Sequence, residues 1–98
     1  MSIHQLAWEV SSVRNGRYIC FPHWECLDFH GEWMPFTQPN VIYGRGQQLV
    51  LPDGNRAILL QVLSMDRYGI QYFLAAYVIG GYFILLRNRL ELPMQPEI

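Results

Sequence analysis

The sequence predicts a mainly β fold of the α+β class: a small, strongly bent antiparallel sheet or barrel with one short N-terminal helix. Three observations predict it. Apolar runs at 47–51, 56–65, 70–79 and 82–92 are separated by Pro52-Asp53-Gly54-Asn55, Asp66-Arg67-Tyr68-Gly69 and Gly80-Gly81, each a compact reversal signal. The last run alternates, with Leu86, Asn88, Leu90 and Leu92 on one face and Arg87, Arg89 and Glu91 on the other, the period of a strand wet on one side. Finally, 98 residues suffice for one domain, 1–98, with a compact core.

Taken in order, the N-terminal segment fits two local structures. Ser2 with Gln5 makes a capping-box pattern, and Ile3, Leu6, Ala7, Val10 and Val13 recur at helical spacing up to Asn15-Gly16, which predicts a helix over 3–13. The same Asn15-Gly16 pair fits a type I′ turn joining 6–13 to 17–21 in a hairpin. The stretch 17–29 reads as mostly strand. Residues 31–48, with Pro35, Pro39, Gly44 and Gly46, read as loop with one or two short strands. The four later runs then form an antiparallel meander, and 93–98 is a loose tail. The third run, LAAYVI at its centre, is apolar in both directions. That predicts a central strand covered on both faces or meeting another subunit, with Leu74, Ala76, Val78 and Ile84 buried.

The segment 46–59, with its polar turn between an alternating strand and an apolar one, resembles the second and third strands of SH3-like small barrels. The resemblance implies a barrel and covers under a fifth of the chain.

Composition bears on partners. Hydrophobic residues are 51% and charged residues 15% of the chain, against about 25% charged in an ordinary soluble domain. So little charge leaves apolar surface to be covered, which predicts a homo-oligomer, most simply a dimer. The net charge of −1 provides no field to attract nucleic acid or an anionic membrane, although arginines sit near aromatics at Arg14, Arg17 and Tyr18 and again at Tyr82, Arg87 and Arg89. All seven basic residues are arginine. The uncharged run 70–86 has the minimum length for a membrane helix, but Gln71, its tyrosines and Gly80-Gly81 suit two strands and a turn. The first ten residues lack the pattern of a secretory signal, and two cysteines are too few for a disulfide scaffold. The expected location is the cytoplasm, with both thiols reduced.

The densest run of reactive side chains is CFPHWECLDFHGEW, 20–33. Cys20, His23, Cys26 and His30 are ligand types for zinc. On a strand, however, Cys20 and Cys26 would lie roughly 20 Å apart, at about 3.3 Å per residue, beyond the reach of one ion. The candidates for catalysis, Cys20 or Cys26 activated by His23 or His30, or Glu25, Asp28 and Glu32 as acid and base, are neighbours in one run, and neighbours on a strand point to opposite faces. No metal, no cofactor and no catalytic residue is therefore expected. The aromatics are more informative. His23, Trp24, His30 and Trp33, joined by Trp8, exceed what so small a core needs and predict a groove or contact surface. Two function classes follow: a non-catalytic interaction protein that self-associates and binds another protein, or a binder of an apolar small molecule, or minor enzyme, with a pocket around those residues.

Overall fold

The computed structural model describes residues 17–39 and 42–90. They form β1 (Arg17–Leu27), β2 (Trp33–Thr37), β3 (Ile42–Gly44), β4 (Gln48–Val50), β5 (Arg56–Met65), β6 (Ile70–Tyr77) and β7 (Phe83–Leu90). Every pairing is antiparallel, in the spatial order β2-β1-β7-β6-β5-β4, with β3 against the start of β1. The sheet is strongly curled, a half-barrel, with no helix among the described residues. The expected helix over 3–13, the first arm and turn of its rival hairpin, Trp8 and the tail 93–98 lie outside the described residues, while 17–21, the hairpin's second arm, is the start of β1. The meander of four strands is present as β4 to β7, and the uncharged run 70–86 is indeed two strands and a turn.

Aspartate and glycine make the reversals. In two hairpins the same Asp-x-x-Gly turn recurs. Asp28 Oδ1 accepts from the amides of His30 and Glu32, both at 2.8 Å. Asp66 Oδ1 accepts from Tyr68 at 2.8 Å and Ile70 at 3.0 Å. Between β6 and β7, Gly80 and Gly81 both take left-handed φ, 90° and 69°, which side-chain-bearing residues adopt at a cost. A Cβ on Gly80 would sit 2.8 Å from the Tyr82 ring, so this glycine also makes room for that ring over the turn.

The concave face holds the core. Trp24 is fully buried, its ring 5.0 Å from Tyr43 and 5.1 Å from Phe73, and Cys20, Cys26, Leu49, Ala75 and Leu86 complete the packing. The β7 alternation is as expected, with Leu86, Asn88 and Leu90 inside. The face assigned to β6 needs correction. Gln71, Phe73 and Ala75 point inward, Leu74 and Ala76 are half-buried on the convex side, and Val78 is 48% exposed in the following turn. Ile84 faces inward but is only partly buried.

The ladders shift register at three places, between Cys20 and Trp24, Leu59 and Gln61, and Val62 and Met65, and buried amides serve the first and the last. The register of β1 against β7 shifts between Cys20 and Trp24. There Asn88 Nδ2 donates to the carbonyls of Phe21 at 2.8 Å and His23 at 3.1 Å. The register of β5 against β6 shifts between Val62 and Met65, where Gln71 Nε2 meets the carbonyls of Leu63 at 2.8 Å and Ser64 at 3.2 Å. Past the end of β2, Gln38 spans to β4, donating to the Val50 carbonyl at 2.9 Å and accepting from its amide at 3.2 Å. Gln38, Gln71 and Asn88 are the buried polar residues of the described chain. Asn88 and Gln71 supply what a shifted ladder lacks, and Gln38 bonds backbone groups of β4 that no ladder from β2 reaches, as buried backbone groups require.

Candidate functional site

The antiparallel registers bring three turns to one end of the half-barrel. Leu27 pairs with Trp33, Val50 with Arg56, and Ala76 with Phe83, so the β1–β2, β4–β5 and β6–β7 turns are neighbours. Between them opens a cavity of about 520 Å³, within the range of small-molecule sites, about 300–1,000 Å³. Cys26, Met34, Tyr77 and Ile84 line it, with Phe29 and Phe83 at its sides. Asp28 and Asp53 are its charged lining residues. We refer to this end as the mouth.

The mouth is rimmed with apolar side chains held in water. Phe29 is 98% exposed, Ile79 83%, and Tyr82 and Phe83 each 72%. Turn tips on a soluble domain are usually polar. A cluster of aromatic and aliphatic tips around an apolar cavity is the kind of exposed patch that marks a binding surface.

The electrostatics are acidic. Hydrogen bonds from Asn55, whose amide lies 2.9 Å from Oδ1, and from the Tyr77 hydroxyl at 3.3 Å hold the Asp53 carboxyl below its ordinary pKa. Burial pushes the Cys26 thiol up, and the negative charges of Asp53 and Asp28 add to the effect. Burial alone pushes Cys20 up to about 12. Both cysteines are free, buried and held as thiols, the opposite of the exposed, electropositive setting that activates a cysteine nucleophile.

The five residues singled out from sequence are not brought together. Trp24 is the centre of the core and belongs to no groove. His23 is exposed on the convex side of β1, and His30 is exposed in the β1–β2 turn, near the mouth but outside its lining. Trp33 is half-buried on the convex face, where the Arg87 guanidinium lies 4.0 Å from its ring centroid and Tyr72 packs at 5.9 Å. Arg87 in turn meets Glu25 at 2.8 Å. Trp8 lies outside the described residues. His23, Trp24, His30 and Trp33 therefore do not line one pocket, because the strand period and the β1 register shift send these side chains to different faces. The zinc-type set divides the same way, and no group of three or more metal-ligating side chains gathers among the described residues. Of the arginines expected near aromatics, Arg87 lies over Trp33 rather than beside Tyr82, which is at the mouth; Arg17 starts β1 at the far end, and Arg14 lies outside the described residues.

Sequence reasoning missed Met34, Asp53, Tyr77, Tyr82, Phe83 and Ile84 as one site. The signal was present in the turn tips, where Phe29, Ile79 and Tyr82 stand among glycines and aspartates.

Among the described residues no helix is long and apolar enough to cross a membrane. No protein-family model matches the chain, and comparison with curated proteins and with solved structures gives no match.

Proposed function

We propose that the chain is a small non-catalytic binding protein whose working surface is the mouth, where it holds an apolar ligand. The observation that carries this is the cavity of about 520 Å³ walled by Met34, Phe83 and Ile84 and rimmed by exposed apolar tips. A domain gains nothing in stability from Phe29 standing 98% in water; covering such tips is worth about 25 cal/mol per Å² of apolar area removed from water. Protonated, buried thiols support a non-catalytic role. They also fit a reducing compartment such as the cytoplasm. The curl of the sheet and the β4–β5 hairpin support reading the fold as an SH3-like barrel left open on one side.

Self-association is the second reading, and a separate observation favours it. The registers align Ile58 and Ala76 in one row across the convex face, with Phe83 at its end where that face meets the rim of the mouth, and Leu74 with Leu85 in the next row. Leu27 and Trp33 pair on the same face farther along. These side chains are half-buried or exposed. An isologous dimer covering about 800 Å² per chain would bury them. A partner of another kind would use the same face.

Thermal-shift screening against apolar and aromatic compounds tests the first reading, since a ligand bound to the folded state alone raises the melting temperature. The account expects shifts that Met34→Glu abolishes. A flat response across the library contradicts it. Light scattering after size exclusion, over a tenfold concentration range, tests the second. A constant mass near 11.5 kDa removes self-association.

A further inference from the structure

We propose that the ligand of the mouth is a small organic cation, an amine carried on an apolar body, with its charge between Asp28 and Asp53. This rests on the reading of the mouth as a binding site and specifies its chemistry.

The lining is apolar apart from two carboxylates, the hydroxyls of Tyr77 and Tyr82 and the Cys26 thiol, and it includes no arginine or histidine. The carboxylates come from two different turns, Asp28 from β1–β2 and Asp53 from β4–β5, so they approach the cavity from separate sides. The charges of both add to the rise that burial gives the Cys26 thiol. Each already has a structural task, but that task uses one oxygen. Oδ1 of Asp28 receives the amides of His30 and Glu32, and Oδ1 of Asp53 receives that of Asn55. Oδ2 of Asp53 meets only the Tyr77 hydroxyl, at 3.3 Å, and Oδ2 of Asp28 has no hydrogen-bond donor among the described residues.

The occupant must satisfy this arrangement. A neutral apolar ligand would cover part of half-buried Asp28 and exposed Asp53 and return nothing to them. An anion would add repulsion. An ammonium group on an apolar body supplies donors to both Oδ2 atoms, while its flanks meet the faces of Tyr77, Tyr82 and Phe83, which attract cations. The volume accommodates a bicyclic ring with a short chain, about the size of a small drug.

Tryptamine and tryptophol provide the test, because they share the indole and the two-carbon arm and differ in ammonium against hydroxyl. Calorimetric titration of the full chain at pH 7 should give at least tenfold tighter binding for tryptamine. In the double variant Asp28→Asn, Asp53→Asn, that preference should fall below threefold. Asparagine keeps the Oδ1 acceptor of each turn, so the variant's melting temperature should stay near wild type and show that the turns survive. Equal affinity for the two probes would overturn the cation proposal and leave the apolar site standing. Tryptamine binding unchanged in the double variant would also overturn it, by placing the cation elsewhere. Binding of neither probe would overturn it as well, and the mouth itself falls only if the thermal-shift screen is flat too.

Discussion

Replacing Asn88 with leucine keeps the number and branching of the side-chain heavy atoms, adds some bulk, and removes the amide that serves the break in the β1–β7 ladder. Asn88 is 3% exposed, and its Nδ2 reaches Phe21 O at 2.8 Å and His23 O at 3.1 Å. Leaving a buried polar group without its partner costs about 1–3 kcal/mol, so two carbonyls cost about 2–6 kcal/mol. Two gains offset this. Leucine buries apolar surface worth about 1.5–3 kcal/mol, and the substitution removes Oδ1, which is buried with no partner. At the middle of each range the carbonyl cost of about 4 kcal/mol exceeds the leucine gain of about 2 kcal/mol, leaving a net destabilisation of about 2 kcal/mol, of which the relief of Oδ1 returns a part. For a domain of this size each kcal/mol moves the midpoint by about 4–8 °C, which gives a fall of roughly 5–20 °C. Urea melts by circular dichroism would read the free energy directly. An Asn88→Leu variant as stable as wild type, or more so, would refute the claim that buried amides repair the curled sheet.

Other outcomes follow from burial and charge. Val78→Asp should melt within a few degrees of wild type, since Val78 is 48% exposed. Ala75→Asp, fully buried on the same hairpin, should leave no cooperative transition, at a cost of several kcal/mol. Alkaline stability should decline in a defined window. Burial raises Cys20 from 9.0 to about 12 and Tyr43 from 10.0 to about 12, with the neighbouring Cys20 adding to the Tyr43 shift. The folded state therefore holds these protons more tightly than the unfolded chain. Their contribution is intact below pH 9 and is lost between pH 9 and 12, so melts taken from pH 8 to 11 should show a plateau followed by a fall. A thiol reagent at pH 8 should find both cysteines unreactive until denaturant is added; rapid labelling of either in the folded protein would contradict its burial.

Much of the fold was legible because its signals are local. The turns at 52–55, 66–69 and 80–81 stand out by residue type, and β7 declares its two faces through Arg87, Asn88 and Arg89. β6 does not. Its run is apolar on both sides, and the polar residue within it, Gln71, is buried because of a register shift that belongs to another strand. A polar side chain ordinarily marks the wet face, so the natural phase places Leu74 and Ala76 inward, one residue out of step. The β1 segment misleads for a related reason. Its break against β7 is a tertiary feature, and without it Trp24 and His23 cannot be assigned to core and surface. The mouth was invisible because its residues come from three turns far apart in the chain, united only by the registers of the pairing strands.

The central claim is that the apolar mouth is where this protein binds. Nile red, a neutral dye whose emission shifts to the blue in apolar surroundings, tests it without an identified ligand. The account predicts saturable, blue-shifted emission with the wild-type chain. The signal should be lost on Met34→Glu, which places a carboxylate in the cavity at a residue already 41% exposed. It should persist in Tyr68→Ser, a change to an exposed aromatic in the turn at the far end of the half-barrel. Emission that Met34→Glu leaves intact, in a variant that melts like wild type, would contradict the account.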